Sequence, residues 1–228
     1  MRFGFNGTLM SNKHAKVMRW YGFTDNVCPA DIRDLCEKAD GEEIELEVNC
    51  DGGDLAVGSE IYSVLRDYKG TVRAHIQSRS ASAATVAMMG ADCITAEPVS
   101  LICVHNPTTY ASGEQRDMQG AADSLGACKD IILEAYMGRA KVSREEISAL
   151  MDRNVYITAK KAMEYGIVDS ITGAAGETII VNGDSEKIHF PTEKMIAEFM
   201  AAKEAEKDNT EAMEKQRQIA NAFLAKYR

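Results

Sequence analysis

The chain changes its hydrophobic rhythm several times, and each change marks an element. Glu43-Ile44-Glu45-Leu46-Glu47-Val48 alternates charged and apolar residues with a period of two, which predicts a strand with one buried face. It runs into Asn49-Cys50-Asp51-Gly52-Gly53-Asp54, a turn cluster opening a helix that carries Ile61, Val64 and Leu65. Upstream, a short strand is predicted around Val17 to Tyr21. It is followed by a helix over Asp31 to Ala39, where Ile32, Leu35 and Cys36 repeat at helical spacing. Residues 1 to about 15 are polar and glycine-containing and predict no element. Thr71 to Gln77 reads as the next strand, Ser82 opens an apolar helix running toward Gly90, and Cys93–Ala96 and Leu101–Val104 are two further strands.

Strand and helix alternating in this way predict an α/β fold on a mainly parallel sheet. In such folds functional groups gather at the carboxyl ends of the strands, where both the Gly52-Gly53 turn and Ser82 are expected to lie. A long helix follows from Gln115 to about Gly138. Met118, Ala121, Ala122, Leu125, Cys128, Ile132, Ala135 and Tyr136 form one apolar stripe along it. Ser143 with Glu146 predicts a capping box for the next helix, Thr158 caps a third, and Gly166 suits its left-handed end. After Ile171 the pattern thins. Gly173 to Gly176 forms a junction, Thr178 to Val181 a small strand, and Asn182-Gly183 a hairpin turn. From Thr192 the chain is charged and helix-favouring, too polar for a core of its own, and is expected to dock on a neighbouring subunit or to be partly disordered. The expected division is therefore 1–172 as the main domain and 173–228 as a small β segment with a helical extension.

Composition narrows the function. Of 228 residues, 45% are hydrophobic and 27% charged, the balance of a soluble globular protein with a real core. A net charge of −9 disfavours a general nucleic-acid binder, which needs a basic face. No apolar run is long enough to span a bilayer, and the first residues lack the apolar segment of a secretory signal, so a cytoplasmic protein is expected. Six cysteines without a C-x-x-C pair read as reduced, packed thiols, and His14, His75 and His189 show no metal-ligand spacing. Neither metal nor cofactor is expected.

The candidate chemistry is a serine nucleophile. Ser82 sits among small residues (Ser80-Ala81-Ser82-Ala83-Ala84) at a predicted helix start, where free N–H groups can face an oxyanion. Ser78 and Ser80 are rival serines in the same segment. Serine is a weak nucleophile without a base, and His105 in Val104-His105-Asn106-Pro107 is one of four histidines in the chain.

Four segments together resemble the ClpP family, the proteolytic subunits of Clp proteases, and among them the phage and prophage branch in particular. Asn49 to Asp54 is similar to the family's N-S-P-G-G turn, Ala81-Ser82-Ala83-Ala84 to its nucleophile helix, and Val104 to Pro107 to its histidine segment. Thr158 to Ile171 follows the closing T/S-A-x-E-A-x-E-Y-G-L-V-D-S-I. The resemblance covers roughly residues 17 to 171, about two thirds of the chain.

The resemblance implies a crotonase-like spiral of βα units and a ring-forming, cofactor-free serine endopeptidase acting on polypeptides. In it Ser82 is the nucleophile, His105 the general base, and Gly53 and Ala83 the oxyanion-hole donors. It also implies a homo-oligomeric ring or stacked rings, with the long helix contacting a second ring, and partners that are an unfoldase ATPase or capsid proteins. Counting back from Ala159 and Gly166, the family's aspartate position falls on Asn154, with Asp152 two residues earlier. Asn154 can accept a hydrogen bond but carries no charge, whereas Asp152 carries the charge, and both stand as candidates for the histidine's orienting partner. The alternatives are an acyl-CoA hydratase or isomerase of the crotonase type, which relies on carboxylates rather than a serine–histidine pair, and a catalytically weak ring or shell subunit.

Overall fold

Eight strands form one mostly parallel sheet in the computed structural model, which describes residues 1–172 and 190–205. In chain order the elements are β1 (Arg2–Leu9), α1 (Asn12–Trp20), β2 (Asn26–Val27), α2 (Pro29–Ala39), β3 (Ile44–Gly53), α3 (Leu55–Arg66), β4 (Val72–Ala81), α4 (Ala83–Met88), β5 (Cys93–Ala96) and β6 (Leu101–Val104). They continue with α5 (Gln115–Met137), α6 (Arg144–Arg153), β7 (Val155–Thr158), α7 (Ala159–Tyr165) and β8 (Ser170–Ile171). The main path runs β2-β1-β3-β4-β5-β8, with β6 branching from β4 and carrying β7 as its antiparallel partner.

The α/β expectation and the strands at 93–96 and 101–104 agree with this architecture. Two expectations at the start of the chain do not. Residues 2–9 form a full strand, β1, paired in parallel with β3 from Arg2↔Glu45 to Leu9↔Gly53. Its period-two signal (Phe3, Phe5, Leu9) is interrupted by Gly7, which takes the inward position between Phe5 and Leu9. Gly7 is required where it stands, because at φ 78° a Cβ would run into the Asp25 carbonyl. The strand expected at Val17–Tyr21 is instead the second half of α1, which ends at Trp20, and the turn after it. Ser11 opens that helix, its Oγ accepting from the His14 N–H and its carbonyl from the Ala15 N–H. A capped start has overridden the local β preference of Val17, Trp20 and Tyr21.

The β3 strand also runs on through the expected turn cluster to Gly53, with a register shift against β4 between Val48 and Cys50. Asp54 then caps α3 by accepting from the Ala56 and Val57 N–H groups. Ile32 and Leu35 of α2 and Ile61 and Leu65 of α3 share one core with Leu46, Val48, Ile76 and Ile94 of the sheet, all of them fully or nearly fully buried. Each such side chain contributes about 1.5–3 kcal/mol to the core. The capping boxes and caps expected at Ser143, Thr158 and Gly166 are present.

The chain divides into two compact units, Met1–Ala15 with Asp25–Ile188, and Lys16–Thr24 with His189–Arg228. In the second, a helix over 193–205 is opened by Thr192, whose Oγ1 accepts from the Met195 N–H. Phe199 on it meets the Trp20 ring edge-on at 5.9 Å. The small strand and hairpin expected between 178 and 183 lie outside the described residues.

Candidate active site

Strand β4 pairs with two neighbours in succession, and this split builds the site. Its first half, Arg73–Ile76, lies along β5, and its second half, Arg79–Ala81, lies along β6, with Ala81 opposite Cys103. One residue beyond the ladder, Ser82 follows β4 and donates its N–H to the Cys103 carbonyl at 2.9 Å. His105 follows β6 just past Val104. Two parallel neighbours therefore deliver a serine and a histidine to the same sheet end, and adjacent strands lie only about 4.8 Å apart. On the other side of β4, β3 ends at Gly53. The antiparallel pairs from Leu101↔Thr158 to Val104↔Val155 extend by one step to set Asn154 across from His105. Gly53, Ser82 and His105 thus lie at the carboxyl ends of β3, β4 and β6, and Asn154 just before the start of the antiparallel β7.

Ser82 has an unusual backbone, φ 57° and ψ −131°, at the start of α4. Its side chain is half-buried, whereas Ser80 is fully buried with its Oγ 3.3 Å from that of Thr85. Thr85 in turn donates to the Ser80 carbonyl, so Ser80 belongs to the packing beneath the site. Ser78 is exposed on β4, three residues before its end. Ala83 opens α4, where first-turn N–H groups have no intrahelical acceptor.

The two glycines are not equivalent. A Cβ on Gly52 would stand 2.5 Å from the Ala81 carbonyl oxygen, 2.7 Å from Ser82 Cβ and 2.9 Å from the Ala83 nitrogen. Gly52 therefore keeps open the space between the serine and the helix start. A Cβ on Gly53 would instead strike the Leu9 carbonyl at 2.2 Å. Both sit at positive φ, +87° and +145°. Beside them, Arg79 and Asp51 form an ion pair at 2.7 Å.

The histidine is half-buried, and its Nδ1 lies 2.6 Å from the main-chain carbonyl of Asn106. Among the described residues no hydrogen bond joins His105 to Ser82, to Asp152 or to Asn154. Asp152 accepts from the Asn106 side-chain amide at 2.8 Å and from Lys129 Nζ at 2.9 Å. These two donors, the amide first, hold its carboxyl below the usual range. Asn154 ends α6 in the left-handed conformation, φ 47° and ψ 55°, and is exposed. Asn106 and Lys129 are new to the picture. The sequence offers Asn106 only as part of a His-Asn-Pro segment, and Lys129 lies 23 residues from Asp152 with no motif around it.

Two buried thiols lie close by. Cys50 on β3 is pushed up to about 12, by burial first, and Cys103 on β6 to about 11 by burial. Both are neutral at pH 7, so neither is a competing nucleophile. No group of three or more His, Cys, Asp or Glu side chains is arranged to hold a metal among the described residues. No helix among them is long and apolar enough to cross a membrane.

The model of the Clp protease family matches residues 21–175. An ATP-dependent Clp protease proteolytic subunit of Deinococcus radiodurans is 25% identical over 132 residues, covering 57% of this chain and 65% of that protein. Subunit 1 of Borreliella burgdorferi is 27% identical over 132 residues, 57% of this chain and 68% of the relative. The Bacteroides fragilis subunit is 25% identical over 151 residues, 65% and 73%. The match thus spans a little under two thirds of the first relative's length and slightly more of the others.

Proposed function

Because this chain belongs to the Clp protease family, we propose that it is a serine-type endopeptidase that cleaves polypeptides through an acyl-enzyme. The observation that carries the reading is the parallel β4–β6 register, which sets Ser82 and His105 at adjacent strand ends. Ser82 Oγ attacks the peptide carbonyl while His105 Nε2 takes its proton. The N–H groups of Gly53 and Ala83 face the oxygen that becomes negative. As the tetrahedral intermediate collapses, His105 returns the proton to the leaving amine. Water, activated by the same imidazole, then frees the acyl group. Asp152 and Asn154 are the side chains that the family resemblance offers for orienting the histidine.

The peptidase domain is taken as residues 1–172, with 173–228 as its extension. It works as a homo-oligomeric ring or pair of stacked rings. Support comes from α5, where Met118 and Ala122 are exposed while Ile132 and Tyr136, lower on the same helix, are buried. Cytoplasmic action suits both settings that fit this design. One is degradation with an unfoldase ATPase, and the other is processing of capsid or scaffold proteins in a phage or prophage. A catalytically weak ring subunit is the second reading. It is favoured by the absence of a Ser82–His105 hydrogen bond and by the uncharged Asn154.

An activity probe separates the two. A fluorophosphonate is expected to label Ser82 in the assembled protein, and both Ser82→Ala and His105→Ala to abolish detectable labelling, since losing either member of such a pair costs roughly 10⁴-fold or more. Folded, assembled protein that takes up no probe at any pH from 6 to 9 excludes the peptidase and leaves the subunit reading.

A further inference from the structure

We propose that the main-chain carbonyl of Asn106, not a carboxylate, orients His105, and that Asn106, Asp152 and Lys129 form a brace holding that carbonyl in place. The proposal rests on the serine-peptidase reading and names how its base is set. A carbonyl oxygen can only accept, so the 2.6 Å contact requires the proton of the neutral ring to sit on Nδ1. Nε2 is then left bare. That is the tautomer a general base needs in order to take the proton of Ser82.

The brace follows from the same logic. A carboxylate offers only acceptors, so the Asn106 amide must present its nitrogen to Asp152, and the amide orientation is fixed. Its other atom, Oδ1, is buried without a partner among the described residues. An amide free to turn would bring that oxygen to water, so the grip of Asp152 opposes the side chain's own solvation. Lys129 of α5 closes the chain by donating to the same Asp152 oxygen. An exposed ion pair alone would be weak. Here it reinforces an amide–carboxylate bond, and the charge on Asp152 persists because both donors favour the ionised form. Asn106, Asp152 and Lys129 are therefore positioning residues, since among the described residues none of their side chains hydrogen-bonds the imidazole.

Two readouts test this. The first is the rate of fluorophosphonate labelling at Ser82. The second is the ring tautomer of His105, read by solid-state NMR of protein carrying ¹⁵N in its four histidines and assigned by difference from His105→Ala. Wild type is expected to show Nδ1–H. Asn106→Ala and Asp152→Ala are each expected to slow labelling about tenfold, the worth of one hydrogen bond, and to shift the ring toward a mixture of tautomers. The double variant should be no slower than either single one. Asp152→Asn, which still accepts from the Asn106 amide, should recover most of the loss, while melting temperatures stay within a few degrees of wild type.

An Nε2–H ring in wild type overturns the proposal. So do alanine variants with unchanged rate and tautomer, or a tautomer shift produced by Asn154→Ala alone. If wild type shows Nδ1–H but never labels, the peptidase reading fails while the tautomers of the variants still decide the brace.

Discussion

Ser82 occupies backbone space that an L-residue adopts at a cost of about 1–3 kcal/mol, and the surrounding contacts show what holds it there. Its N–H is tied to the Cys103 carbonyl, its neighbours Ala81 and Ala83 are buried, and Gly52 leaves it room. The same contacts leave Gly52 no room for a side chain. In Gly52→Ala the new methyl must displace the Ala81 carbonyl and Ser82 Cβ, both backbone-anchored, at a φ that disfavours any side chain. We expect Ser82 labelling to fall at least about a hundredfold, with a stability loss on the order of 2 kcal/mol by urea denaturation. Gly53→Ala should act differently. Its clash is with Leu9 on β1, so stability should fall more than labelling does when rates are corrected for the folded fraction. Equal losses of labelling in the two variants would place the serine's open space at the wrong glycine.

Elements whose signals are continuous were legible in the sequence, and elements whose signals are interrupted were not. The alternation of Glu43 to Val48 and the apolar runs at Cys93 and Leu101 each lead to a strand in the structure. The β1 strand escaped because the inward position between Phe5 and Leu9 is Gly7, which the close approach of Asp25 demands, and that is tertiary information. The two-sided pairing of β4, which brings Ser82 beside His105, is likewise a property of the sheet and of no single segment. Helix α5 illustrates the converse. Its apolar stripe is continuous in sequence, yet only its last part, from Ile132, is buried in the isolated chain, and Met118 is 39% exposed. If the upper half is an assembly surface, Met118→Glu with Leu125→Glu should reduce the mass seen by native mass spectrometry or light scattering while leaving the circular dichroism spectrum unchanged. Ile132→Glu, by contrast, should unfold the domain, because it strands a charge in a fully packed site. Full-size assemblies from the double variant would move the interface elsewhere.

For the whole molecule, the burial that neutralises the site's thiols makes the fold sensitive to alkali. Cys50 and Cys103 are raised from 9.0 to about 12 and about 11 by burial, and the Tyr136 phenol, fully enclosed, is pushed up in the same direction. Above pH 9 the unfolded chain releases thiol protons that the native chain retains. The folded state then holds more protons than the unfolded one, so the stability gained from keeping these groups neutral is complete below pH 9 and drains away as pH rises. The slope approaches about 1.4 kcal/mol per pH unit for each thiol between its unfolded and folded values. Melting temperature should accordingly be flat from pH 7 to 8.5 and fall steeply from 9 to 11. A Cys50→Ala, Cys103→Ala variant, though less stable at pH 7 for its lost packing, should show a shallower alkaline decline. At pH 8, a thiol reagent should leave both cysteines unmodified in native protein and modify them on unfolding. An alkaline slope unchanged by removing both thiols would assign the effect to other groups such as Tyr136, and would mean that the floor beneath Ser82 admits solvent.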